Sequence, residues 1–166
     1  ARLLHIPLRA NGAQSIPYDI ISLFRAMGGY DTVLILGVSG AIFLPIFRLI
    51  SRAKVVTNID GLEHRRQKWG AAARWFLRLS ESIAARFSDT IISDNKGIAD
   101  YVTETYKKSS ELIAYGGDHT MQSLSLDKQL QILDKYNIKA NEYAFALCRI
   151  EPENNCHIIL EAAAKS

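Results

Sequence analysis

The sequence predicts an α/β protein: a parallel sheet with helices on both faces. Three observations carry this. Short runs rich in Val, Ile and Leu recur along the chain, helical patterns of period 3.6 separate them, and Gly, Asn or Asp punctuates the joins. Strands in such alternations are buried on both sides, which is why they read as continuous apolar runs. A chain of 166 residues, 48% hydrophobic and 22% charged, has the composition of an ordinary soluble globular protein. It is long enough for one domain and part of another.

In chain order, residues 2–6 read as a strand and 16–27 as a helix stopped by Gly28-Gly29. Residues 31–37 (DTVLILG) form a buried strand, and 43–51 a helix with Pro45 in its first turn, where a missing N–H leaves nothing unsatisfied. Residues 54–58 are the next strand. A long helix over 68–87 follows, with Trp69, Ala72, Ala73, Phe76, Leu79, Ile83, Ala84 and Phe87 on one stripe. Residues 89–93 (DTIIS) form a strand, Asn95 caps a helix running to Tyr106, and 111–115 is a strand ending in Gly116-Gly117-Asp118. Right-handed crossovers then bring the loops holding Asp60, Asp94 and Gly116 to one sheet edge.

After Asp118 the pattern breaks. Residues 119–126 are polar and aperiodic, 127–136 read as a helix, 143–149 (YAFALCR) as a strand and 155–164 as a helix. The expected division is a first domain over 1–118, a linker and helix over 119–140, and the start of a second domain over 141–166. One strand–helix unit cannot cover both faces of its strand, so the second domain reads as truncated. A chain that opens within a strand also looks cut from something longer.

Several function classes are disfavoured. The formal charge of +3 fits an anionic ligand or a membrane surface without demanding either. Residues 41–50 are apolar but short and interrupted by Pro45 and Arg48, so no membrane span is expected, and the first residues lack signal-peptide features. Cys148 and Cys156 read as reduced thiols, which points to the cytosol. His5, His64, His119 and His157 are scattered, so no metal site is expected. Acidic residues interrupt the basic ones, which argues against nucleic acid. No P-loop or nucleophile elbow is present.

The densest polar cluster follows the strand at 54–58. Asp60-Gly61-Leu62-Glu63-His64-Arg65-Arg66 leaves the carboxyl end of a strand, where ligands bind in α/β folds. Two readings stand: Asp60, Glu63 and His64 converge on a substrate around a turn at Gly61, or the segment is a capped turn with solvated cations. Arg149 ends the strand at 143–149 just before a helix start. It is placed either to hold a diphosphate or to pair with Glu151 or Glu153. Gly116-Gly117 permits close backbone approach to a ligand, or merely turns the chain. Arg65, Arg66, Lys68, Arg74 and Arg78, before and along the long helix with Trp69, Trp75 and Phe76 interleaved, suggest an anionic membrane surface, or a solvated face behind a core stripe that holds Trp69 and Phe76.

Taken in series, four segments resemble the two-domain (GT-B) nucleotide-sugar glycosyltransferases of the retaining family 4 type, nearest to bacterial rhamnosyltransferases. They are Asn58 to Glu63 with Lys68-Trp69-Gly70, Ile92 to Ile98, Ile113 to Asp118, and Arg149 to Asn155. The resemblance implies Rossmann-like domains facing each other, an acceptor side at Asp60, Gly61, Glu63 and His64, and donor binding by Arg149, Glu153, Asn154, Gly116 and Gly117. Arg149 takes the catalytic role, placing positive charge where the leaving diphosphate develops negative charge. The implied activity is metal-independent transfer of a sugar such as rhamnose or another hexose, in bacterial surface polysaccharide synthesis. The donor is a dTDP- or UDP-sugar, which is a substrate and no cofactor, and the acceptor is a glycan or lipid-linked. The site is cytoplasmic, with peripheral contact at the inner face of the membrane. Relatives often carry lysine where this chain has Asn154. The first strand, the glycine-rich acceptor loop and the C-terminal acidic motif have no counterpart here, so the chain alone is expected to be inactive. The alternatives are a nucleotide-sugar epimerase of the same architecture and a non-catalytic sugar-nucleotide or partner-binding module.

Overall fold

A computed structural model describes residues 3–10, 12–66, 69–120, 123–150 and 154–165. The chain divides into two compact units, Ala1–Tyr115 and Gly116–Ser166.

The first unit alternates helix and strand: α1 (Ser15–Arg25), β1 (Thr32–Leu36), α2 (Leu44–Ile50), β2 (Lys54–Ile59), α3 (Ala71–Phe87), β3 (Thr90–Ser93), α4 (Lys96–Tyr106) and β4 (Glu111–Leu112). All strands are parallel, in spatial order β1-β2-β3-β4. The class is the expected one, an α/β, Rossmann-like parallel sheet flanked by helices, though equal helical cover of both faces was expected. Val33 and Ile35 of β1, Val55 and Ile59 of β2 and Ile91 of β3 form one packed face with Leu44, Phe47, Ala84 and Val102 from the helices. The two faces differ in cover. Strands taken in sequential order with right-handed crossovers carry their connecting helices on one side. Leu34 and Leu36, which alternation turns the other way, are 57% and 73% exposed.

Specific contacts lock the helical layer. Asn95 caps α4 as expected, its Oδ1 accepting from the Ile98 N–H at 3.0 Å. Arg48 ties the end of α2 to the next crossover: Nε donates to the Phe87 carbonyl (3.0 Å), Nη1 to the Ala53 carbonyl (3.1 Å) and Nη2 to Asp89 Oδ1 (2.5 Å). Asp89 Oδ2 accepts from the Val55 N–H at 2.7 Å. At Gly40 a Cβ would overlap the Asp19 Cβ, so α1 crosses the loop after β1 only because no side chain is there.

Some expectations are corrected. Residues 3–6 form no ladder, and the strand expected at 111–115 contracts to Glu111–Leu112. The buried stripe of α3 is displaced: Leu77, Ser80, Glu81, Ala84 and Ala85 are buried, while Ala72 and Leu79 are exposed. A stripe drawn through apolar residues alone passes over Ser80 and Glu81, which are buried because they have polar partners.

The second unit contains α5 (Leu126–Lys135) and α6 (Cys156–Lys165). Residues 143–149 are not a strand: a strand exists by its ladder, and none is formed among the described residues. No described residue of this unit is buried.

Candidate functional site

The register sets the carboxyl ends of the strands side by side, with Leu36 opposite Asn58 and Ile59 opposite Ser93. The loops beginning at Gly37, Asp60 and Asp94 therefore emerge at one edge. Gly37 turns there with φ +96°, a conformation that side chains resist, and its N–H donates to the Asn58 carbonyl at 3.0 Å. A cavity of about 250 Å³ opens at this edge. Its walls come from the loop after β1 (Val38, Ser39), the loop after β2 (Asp60, Glu63), the approach to α3 (Trp69) and its first two turns (Ala73, Leu77), and the start of α1 (Ser15, Ile16).

The acceptor-side residues expected from sequence part company here. Asp60 and Glu63 line the cavity, whereas Gly61 and His64 are not among its described walls. The Asp60 carboxyl is pushed above its ordinary value, first by partial burial and then by repulsion from Glu63 and Asp94. Its own backbone N–H and Arg66 work in the opposite direction. Glu63 is anchored: Oε1 accepts from Arg66 Nη1 (2.6 Å) and Oε2 from the Trp69 indole N–H (3.3 Å). The cluster thus fixes an indole and two carboxylates at one opening.

His64 turns to Glu81, a fully buried carboxylate on α3. Glu81 Oε2 lies 3.1 Å from His64 Nδ1, while Oε1 accepts from Tyr101 Oη (2.8 Å) and Tyr106 Oη (2.6 Å), both from α4. Burial, with these bonds to Glu81, pushes both phenols above their ordinary values, so they remain protonated donors. The Arg65 guanidinium lies 5.1 Å over the Tyr101 ring. Three elements distant in sequence meet at this carboxylate, so no local motif announces it. A glutamate on the apolar side of an amphipathic helix was the available signal. Asn58 was also missed as a polar point: its Nδ2 donates to Tyr115 Oη at 3.1 Å, and its buried Oδ1 has no partner in the described structure.

In the second unit, Arg149 is exposed and its carbonyl accepts from Asn154 Nδ2 at 2.7 Å. The Asn154 side chain therefore closes the loop that begins at Arg149. Glu153 lies outside the described residues. The Gly117 carbonyl accepts from the Thr120 N–H (2.9 Å) and from Thr120 Oγ1 (2.6 Å), opening a short 3₁₀ turn, and Gly116 has open space around it. The Sγ atoms of Cys148 and Cys156 are 3.4 Å apart, both as free thiols. Among the described residues no group of three His, Cys, Asp or Glu is arranged to hold a metal ion, and no helix is long and apolar enough to cross a membrane.

Residues 6–118, about two-thirds of the chain, match the family described as Domain of unknown function (DUF1972). No curated protein matches the chain.

Proposed function

The chain belongs to the DUF1972 family, and on that premise we propose that it is part of a nucleotide-sugar glycosyltransferase of the retaining family 4 type. The observation that carries this reading is the cavity at the carboxyl edge of the parallel sheet, where Asp60, Glu63 and Trp69 converge. In open α/β sheets that edge is where ligands bind. The association of this domain with glycosyltransferase-like proteins supports the same reading.

In the proposed reaction the acceptor lies against the Asp60–Glu63 loop. The donor diphosphate is held by Arg149, with the backbone at Gly116 and Gly117 close by. Arg149 stabilises charge on the departing nucleoside diphosphate. The donor sugar is rhamnose or another hexose, and the product enters bacterial surface polysaccharide. Calorimetric titration of the full-length protein with a panel of dTDP- and UDP-sugars tests the reading. One donor binds, and Arg149→Ala weakens it by about 2–5 kcal/mol, the range for truncating one partner of a buried charge pair. An unchanged affinity removes Arg149 from the donor site, and failure of every donor to bind refutes the proposal.

The acceptor is glycan or lipid-linked, and the enzyme works at the cytoplasmic face of the membrane. Arg74 and Arg78 are exposed on α3, and Trp75 between them is 68% exposed. Cations flanking an exposed indole suit an anionic headgroup layer.

A further inference from the structure

The chain has two cysteines among 166 residues, and they meet: their Sγ atoms are 3.4 Å apart. Both are free thiols, Cys148 exposed and Cys156 partly exposed. We propose that Cys148 and Cys156 form a redox-active dithiol, a modification site that a low-molecular-weight disulfide oxidises reversibly to an intramolecular bond. No step of it uses a nucleotide sugar, so it stands or falls apart from the glycosyltransferase reading.

Local structure brings the two sulfurs together. Asn155 has φ +51°, in the left-handed region that asparagine tolerates better than most side chains, and it turns the chain just before α6. Its carbonyl accepts from the Ile158 and Ile159 N–H groups at 2.9 and 3.2 Å, which fixes Cys156 as the first residue of the helix. At the other end of the loop, the Arg149 carbonyl accepts from Asn154 Nδ2 at 2.7 Å and from Cys156 Sγ at 3.6 Å. These bonds hold the ends of the segment near each other while both thiols are free. A disulfide has an S–S length of about 2.05 Å, so closure requires an approach of about 1.4 Å. No described residue of the second unit is buried, so no packed core resists that movement.

The exchange balances. One protein thiolate attacks a sulfur of the disulfide RSSR and expels RS⁻, leaving a mixed disulfide. The second protein thiolate attacks the protein sulfur of that bond and expels the other RS⁻. The cysteines together lose two electrons and two protons, and RSSR takes them up to become two RSH. The second step is intramolecular, between sulfurs already in contact, so it outpaces the first and the mixed disulfide does not accumulate. The product is a ring over residues 148–156 that ties the end of the 143–149 segment to the first turn of α6. An excess of RSH runs both steps backwards, and the exposure of the pair leaves it open to that reagent.

The full-length protein, reduced and then freed of reductant, is treated with oxidised glutathione and quenched with acid. The monomer fraction is digested with trypsin without reduction and read by mass spectrometry. Cleavage after Arg149 separates the two cysteines, so closure joins peptide 140–149 to peptide 150–165. That linked pair is the expected main product, with about tenfold less glutathione adduct than in Cys148→Ser or Cys156→Ser, which stop at the mixed disulfide. Neither position is buried, so serine disturbs no core. Dithiothreitol returns the separate peptides. Stable glutathione adducts on both cysteines of the parent, linkage found only between separate molecules, or no reaction at either sulfur overturns the inference.

Discussion

Replacing Glu81 by alanine is expected to be among the costliest single changes in the first unit. The carboxylate is fully buried, and three donors converge on it at 2.6, 2.8 and 3.1 Å from Tyr106, Tyr101 and His64. Each hydrogen bond to a charged group contributes about 1.5–3 kcal/mol. Tyr101, Tyr106 and His64 are only partly buried, so water recovers part of their loss when the acceptor goes. The expected cost is about 3–5 kcal/mol, as for breaking a buried charged pair, a large share of the roughly 5–15 kcal/mol that holds a domain folded. Both tryptophans lie in the first unit, so urea unfolding followed by their emission reports on that unit. With a slope of about 2 kcal/mol per molar urea, the midpoint falls by roughly 1.5–2.5 M. Glu81→Gln keeps an oxygen for the two phenols and costs about 1–2 kcal/mol. Glu81→Leu with Tyr101→Phe and Tyr106→Phe removes the orphaned hydroxyls with the acceptor and recovers more than half of the alanine loss. An alanine variant within about 1 kcal/mol of the parent at unchanged slope, or no coupling between Glu81→Gln and Tyr106→Phe, refutes the network as a stabilising centre.

Gly40→Ala drives a methyl into Asp19 and is expected to cost about 1–3 kcal/mol by overpacking, whereas Gly61→Ala meets open space and leaves the melting temperature nearly unchanged. Differential scanning calorimetry of the pair checks both. Partial burial works against ionisation of Asp89, but the Val55 N–H and Arg48 outweigh it and hold its carboxyl below the ordinary value. Its contribution is therefore present above the unfolded value near 3.9 and lost as pH falls through the lower folded value. Asp89→Asn should flatten that acid limb in urea titrations from pH 7 to pH 2, and an identical limb in the variant contradicts the assignment. Arg74→Glu with Arg78→Glu should abolish sedimentation with anionic liposomes, and unchanged binding removes α3 from any membrane contact.

How much was legible depended on whether the deciding contacts were local. The Asn95 cap, Pro45 in the first turn of α2 and the apolar runs of β1, β2 and β3 act within a few residues, so their patterns sufficed. The strand expected at 143–149 has the right composition but no ladder partner among the described residues, and composition cannot supply one. Within the cluster after β2, spacing alone could not separate Asp60 and Glu63, which face the cavity, from His64, which turns inward to Glu81.

The order of residues by itself determined the α/β class, the parallel sheet and the gathering of Asp60 and Asp94 at one edge, because strand propensity, helix period and crossover handedness are short-range rules. Only the tertiary structure decided that Glu81 is a buried hub, that Gly40 must lack a side chain, and that Trp69 shares a cavity with Val38 and Ile16. Those facts depend on which helix lands beside which loop. That choice is made by packing across the whole layer, and it leaves no trace in any short window of sequence.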